Sequence, residues 1–261
     1  MVKLIASDLD GTLLLNGARE ISAEAIDYIK KLTEYGVVFA AASGRQYPNL
    51  RRLFEEVRED IVYICENGAL VKYKGETLSK TPMDRKLGLA IMKDIYEREH
   101  CEILLSGEET SYLLPKSEQY VDHMKHYVGN DVTIIHDFEE VKEDFLKISV
   151  YENRGIEYSS DYFHDKWGSL VKDTVSGECW MDFVENGVDK GAALKKVQEM
   201  LHTSKEDTMC FGDSYNDLEM FENSLYSYAM TSSNSEIRAK AKYVTTTVET
   251  ILYDVYHVLS R

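Results

Sequence analysis

Proline is scarce in this chain, with three among 261 residues, and no low-complexity linker interrupts it. Cysteine is nearly as rare. Cys65, Cys101, Cys179 and Cys210 stand singly beside apolar or aromatic neighbours, without the C-x-x-C spacing of zinc or redox sites. They read as buried free thiols of a reducing compartment. No apolar run approaches ~18 residues, so no transmembrane helix is expected. The first eight residues lack the apolar stretch and small-residue cleavage site of a signal peptide, and the expected location is the cytoplasm. Positive charge is also in deficit. Thirty basic residues face 46 acidic ones, a net charge of -16. That argues against nucleic acid or an anionic membrane as the main partner. A small anionic substrate is still allowed, because a metal ion or a nest of N–H groups reverses the sign of one pocket. Oligomeric state is not readable.

What is present is a core. The chain is 44% hydrophobic, and its length suggests one large or two modest domains. Residues 2–7 read as a buried strand. A helix over 22–35 follows, with Ser22 as N-cap and Gly36 as stop signal. Then come the apolar run 37–42, a helix around 47–57 and the apolar run 61–65. Continuous apolar strands alternating with helices indicate a parallel sheet covered on both faces. From Met83 to Val184 the rhythm changes to paired strands with helices: helix 84–99, strands 101–106 and 111–114, helix 117–127, strand 132–135, short helix 138–144, strand 146–151, helix 155–165. A hairpin of 170–174 and 179–183 turns at Ser176-Gly177. The parallel pattern resumes with a helix from Gly191 to Leu201, a strand at 209–212, a helix near 217–222 and a last strand at 243–245. The fold class is therefore α/β, a Rossmann-like parallel core (1–82 and 185–261) with an inserted α+β domain (83–184).

Four polar clusters follow apolar runs or open helices: Asp8-Leu9-Asp10-Gly11-Thr12, Ser43-Gly44-Arg45, Lys190-Gly191, and Gly212-Asp213-Ser214-Tyr215-Asn216-Asp217. Open parallel sheets bind ligands outside the carboxyl ends of their strands, so these clusters converge on one edge. Asp8 and Asp10 alternate and can face one small molecule. Crowded carboxylates need a cation or proton between them, and Mg²⁺ takes one or two carboxylates plus phosphate oxygens. A calcium loop is excluded, because Leu13 and Arg19 stand where it needs Gly and Glu. A helix N-cap or Asx turn is the plainer explanation of the pair taken alone. Asp213 could complete a metal shell. Asp217 suits either the first turn of a helix or a supporting role behind the metal. Asn216 either caps that helix or touches metal or substrate. Lys190 opposes the helix dipole at the first helical position, a violation expected where a lysine holds phosphate beside free N–H groups. Ser43 and Gly44 can present a hydroxyl and backbone N–H groups to phosphoryl oxygens. Arg45 either assists or pairs at the surface. Glu66-Asn67-Gly68 is explained equally by a tight turn and by substrate contact. Asp122, His123 and His126 have no third histidine in register and read as a solvated helix face.

The stretches "DLDGT", "SGR", "DKG" and "GDSYND", in this order, resemble the four motifs of the haloacid dehalogenase (HAD) superfamily of Mg²⁺-dependent phosphohydrolases. "ENGA" and the insertion after the third strand resemble its Cof-type branch (class IIB). At the C-terminus "TTTVETILYDVYHVL" stands where relatives often carry a glycine-containing "DGV" turn. The resemblance implies a mobile cap and an aspartyl-phosphate intermediate. By it, Asp8 is the nucleophile and Asp10 the general acid/base. Ser43, Gly44, Lys190 and Asn216 bind the phosphate. Mg²⁺ is held by Asp8, Asp213 and the backbone carbonyl of Asp10, with Asp217 behind them. The expected activity is hydrolysis of phosphate monoesters of small metabolites, sugar phosphates foremost. A phosphomutase using the same intermediate, or a non-catalytic phosphometabolite sensor, are the alternatives.

Overall fold

The computed structural model describes residues 1–261. Two compact units emerge. One comprises Met1–Arg45, Leu50–Ser79 and Asp189–Arg261. The other comprises Gln46–Asn49 and Lys80–Val188.

The chain opens with β1 (Leu4–Ser7), α1 (Ala23–Glu34), β2 (Val38–Ala42), α2 (Tyr47–Leu53), β3 (Val62–Cys65), β4 (Leu70–Tyr73) and β5 (Glu76–Lys80). The inserted unit carries α3 (Arg85–Tyr96), β6 (Cys101–Ser106), β7 (Ser111–Leu113), α4 (Glu118–Asp122), β8 (Val132–Ile134), β9 (Lys147–Glu152), α5 (Ser160–Trp167), β10 (Lys172–Gly177) and β11 (Trp180–Val184). The first unit then resumes with α6 (Lys190–Met200), β12 (Thr208–Gly212), α7 (Leu218–Glu222), β13 (Tyr226–Met230), α8 (Ser235–Lys240), β14 (Tyr243–Thr245) and α9 (Val248–Leu259).

The first unit is one sheet in the order β14-β13-β12-β1-β2-β3-β4-β5. Its strands run parallel from β14 to β3. Every residue of β1 and β3 is buried, which is why they read as unbroken apolar runs. Strand order reverses at β1, between β12 and β2, and this is where a parallel sheet opens a crevice for ligands. Leu194 and Val197 of α6 pack with Leu4, Val62 and Ile64 beneath that crevice. Each such fully buried side chain contributes about 1.5–3 kcal/mol. At α1, Ser22 accepts the Ala25 amide as the sequence predicts.

The inserted unit is a six-stranded sheet, β10-β11-β9-β6-β7-β8. It is antiparallel except for the β7–β8 pair. Ile91 and Ile95 of α3 and Phe163 of α5 pack with Ile103, Ile148, Val150 and Phe183 of the sheet, so both helices cover the same core.

Several local expectations fail for physical reasons. The sequence predicts no strand between 69 and 82, yet β4 and β5 form a hairpin there. Its turn is Lys74-Gly75, both at positive φ, a weaker signal than Asn-Gly. The single helix expected over 117–127 divides into α4 and a π-helical segment, His123–Val128. Asp122 and His126 are exposed, as a solvated face requires, but His123 is half-buried and its ring stacks on Tyr127 and Tyr151 at 5.0 and 5.1 Å. The β10–β11 turn lies at Glu178-Cys179 rather than Ser176-Gly177, because β10 continues through an irregularity to Gly177. All four cysteines are free. Cys65, Cys101 and Cys210 are buried and Cys179 is half-buried. The glycine-poor C-terminal segment forms α9, capped by Thr247.

Candidate active site

β1 ends at Ser7, but the Asp8 amide still donates to the Phe211 carbonyl of β12 at 3.0 Å. Asp8 is thereby pinned at the carboxyl edge between two parallel strands. The chain then turns sharply, closed by the Leu14 amide on the Leu9 carbonyl at 2.7 Å. Gly11 has φ +92°, and a Cβ there would strike the Asp213 carboxylate. Only glycine allows that carboxylate so near the loop. Thr12, buried, donates to Asp213 Oδ1 at 3.1 Å.

The lysine enters from α6. Asp189 caps that helix by accepting the Ala192 amide at 2.6 Å. Lys190, at the first helical position, is 1% exposed. Its Nζ donates to Asp8 Oδ1 at 2.5 Å and to Asp217 Oδ1 at 2.7 Å. Asp217 is fully buried. Its other oxygen accepts the amides of Asp213 (2.9 Å) and Ser214 (3.1 Å), half of a capping box with Ser214. One carboxylate thus fixes both the lysine and the turn that carries Asp213.

On the other side of β1, Ser43 follows β2 and is buried. Its Oγ accepts the Arg45 amide at 3.2 Å. The Arg45 guanidinium reaches back to both oxygens of Asp10, at 2.8 Å from Nε and 2.5 Å from Nη2. Asp10 is exposed, in contrast to Asp8. Arg45, left open in the sequence, is therefore a direct partner of Asp10.

Asn67 belongs here too, although the sequence could not separate a turn from a contact. Glu66, Asn67 and Gly68 have φ of +50°, +55° and +104°, a costly conformation for the first two. It lets the Asn67 amide donate to the Ser43 carbonyl at 3.0 Å. Asn67 Oδ1 accepts Asn216 Nδ2 at 3.2 Å, and a Cβ on Gly44 would come within 3.2 Å of the same side-chain amide. Asn216, Asn67 and Gly44 are thereby one connected patch.

The electrostatics follow from crowding. Burial raises the Asp8 pKa well above the usual carboxylate range, and Asp217 and Asp213 raise it further, against the pull of Lys190. Asp213 is raised by burial and by Asp217. Burial disfavours the Lys190 charge, but Asp217 and Asp8 outweigh it and hold its pKa above the ordinary value. Single oxygens of Asp8, Asp213 and Asp217 lie within 4.8 Å of one another. Three carboxylates against one ammonium leave two negative charges, which one divalent cation balances. This all-oxygen donor set fits such an ion. Asp217 is committed to Lys190 and two amides, so Asp8 and Asp213 offer the freer oxygens.

A sheet edge that gathers paired aspartates, a buried lysine and a hydroxyl at a chain reversal defines a phosphohydrolase of the α/β class. A family model described as haloacid dehalogenase-like hydrolase matches residues 5–252, and the chain belongs to that family. It is 25% identical over 243 residues to the 5-amino-6-(5-phospho-D-ribitylamino)uracil phosphatase YbjI of Escherichia coli (strain K12), covering 93% of this chain and 90% of that one. The solved structure of SMU.1108c from Streptococcus mutans UA159 superposes with TM-score 0.85 at 27% identity, covering 98% of this chain and 100% of that one. The fold is also that of the HAD subclass IIB sugar phosphatase BT4131, with TM-score 0.80 at 19% identity over 97% and 99% of the two chains. A Rossmann-like core with an inserted cap is thus the architecture, and the enzyme is a phosphatase of this family. No helix is long and apolar enough to cross a membrane.

Proposed function

We propose that this phosphatase hydrolyses phosphate monoesters of small metabolites through an aspartyl-phosphate on Asp8, with Mg²⁺ as cofactor. The observation that carries this reading is the Asp8–Lys190–Asp217 chain of contacts beside Asp213. It places a buried carboxylate next to a fixed cation at the edge of the sheet.

Asp8 attacks phosphorus as the bond to the leaving oxygen breaks, and Asp10 gives that oxygen a proton. Asp10 then takes a proton from water as the water displaces phosphate from Asp8. An exposed Asp10 held by Arg45 suits a side chain that changes partners when substrate arrives. Lys190 neutralises phosphoryl oxygens. The Ser43 hydroxyl, already accepting from the Arg45 amide, keeps its proton for a substrate oxygen. Gly44 and Asn216 offer donors on the same side. Mg²⁺, held by Asp8, Asp213 and the Asp10 backbone carbonyl, would supply charge compensation as negative charge develops.

The named substrate of the Escherichia coli relative carries its phosphate on a ribityl chain, which supports sugar and polyol phosphates as the first class to test. Phosphate release is assayed with Mg²⁺ against sugar phosphates, nucleotides and pyridoxal phosphate. Release is expected from at least one sugar or polyol phosphate and none from the Asp8→Asn variant. No release across the panel, or Asp8→Asn matching the wild type, would refute the reading.

A further inference from the structure

Within the inserted unit, a cavity of about 470 Å³ opens between the C-terminal end of α3, the start of β6, the end of β9 and the segment entering α5. Two buried polar groups on its lining lack partners. The Arg98 guanidinium sits over Tyr162, its Cζ 3.4 Å from the ring centroid, and its Nε is buried without a hydrogen bond. Two carboxylates on the same lining are committed elsewhere. Asp94 accepts from Lys166, Tyr162 and Trp167, and Glu152 accepts from Arg154 and the Cys101 thiol. Ser159 is 4% exposed. Its hydroxyl sits beside Glu152 and Cys101 yet makes no hydrogen bond of ordinary length and angle.

A guanidinium held over an aromatic ring offers a planar fork that matches a carboxylate. Glu97 and Glu99, exposed on the wall of the same cavity, supply the opposite charge. They disfavour a phosphate dianion and favour an ammonium. We propose that this cavity binds a small zwitterionic metabolite, its carboxylate on Arg98 and Ser159 and its ammonium towards Glu97 and Glu99. The site is independent of the phosphatase reading, since none of these residues belongs to the sheet edge around Asp8.

Calorimetric titration of the full chain with L-serine, ethanolamine and 3-hydroxypropionate tests this. The three share a skeleton and carry both charges, the amine only and the acid only. L-serine is expected to saturate in the millimolar range and to bind roughly tenfold tighter than either truncated compound. Arg98→Gln is expected to weaken it by about tenfold and Glu97→Gln by a few-fold, with phosphatase turnover unchanged in both. Should Arg98→Gln fail to fold, Ser159→Ala and Glu97→Gln carry the same comparison. Non-saturating L-serine, equal binding of 3-hydroxypropionate, or unchanged affinity in the variants would overturn the proposal.

Discussion

Asp217→Asn is the sharpest probe of the site, because one carboxylate does two jobs there. An asparagine has one oxygen where Asp217 uses two. If that oxygen stays on the Asp213 and Ser214 amides, the new NH₂ faces the Lys190 ammonium, donor against donor. If the amide flips, the two backbone donors lose their acceptor. Breaking a buried ion pair costs about 3–5 kcal/mol. Two effects reduce this here: Lys190 keeps Asp8 at 2.5 Å, and one carboxylate leaves a crowded cluster. Attraction still dominates, since the nearest groups to Asp217 are a cation at 2.7 Å and two N–H donors. A loss of about 2–3 kcal/mol follows, or roughly 4–12 °C in Tm for a domain of this size. Turnover falls by ~100-fold, as expected when a charge-stabilising group near phosphorus is misplaced. Thermal melts by circular dichroism and phosphate release, both with saturating Mg²⁺, read the two effects. A Tm within 1 °C of wild type together with near-normal kcat, on a scale where ~1.4 kcal/mol is tenfold, would refute the dual role.

Three further outcomes are expected. Asp8→Asn leaves the metal-free protein as stable as wild type or more so at neutral pH, because it removes a buried carboxylate whose pKa burial and its acidic neighbours raise; a large drop in the melting temperature would contradict that crowding. Mg²⁺ raises Tm in wild type by the equivalent of about 2.7 kcal/mol at a hundred times its Kd, and Asp213→Asn abolishes most of that gain in a melt with and without chelator. In the inserted unit, burial works to raise the Asp94 pKa, but hydrogen bonds from Lys166, Trp167 and Tyr162 hold it below the usual aspartate value. Its stabilisation is therefore complete above the unfolded aspartate pKa and is lost as pH falls through the lower folded one. Asp94→Asn should lower stability at neutral pH and flatten that acid limb; a parallel shift at every pH would show that Asp94 is not its source.

The core strands were legible because a parallel sheet buries both faces, and no charged residue breaks β1 or β3. The hairpin of β4 and β5 was not. β5 has four exposed residues of five, so no apolar period marks it, and its Lys74-Gly75 turn is built on a residue that seldom adopts positive φ. β13 failed differently: Tyr226-Ser227-Tyr228 interleaves serine with tyrosines, which blurs the signal of a buried strand. The π-helical segment at His123–Val128 is likewise invisible to a 3.6-residue period.

The site divides along the same line. Lys190 could be singled out because a cation at a helix start contradicts the dipole, and the structure supplies what compensates: two carboxylates on its ammonium. The motif aspartates stood at a predicted strand end, where parallel topology alone brings them together. Asn67 and Arg45 could not be weighted this way. Their meaning lies in partners that are distant in sequence or joined through the backbone: Asn216 lies 149 residues from Asn67, and Asp10 lies 35 from Arg45. A strained turn gives a local reason for Asn67 as good as any functional one, until the fold sets it against Ser43, Gly44 and Asn216. The strain then has a physical reason. Two left-handed residues before Gly68 bring the Asn67 amide onto the Ser43 carbonyl, so the loop after β2 is tied to the end of β3. The phosphate-binding role proposed for that loop needs its N–H groups held still before the ligand arrives, and this tether does that from outside the motif.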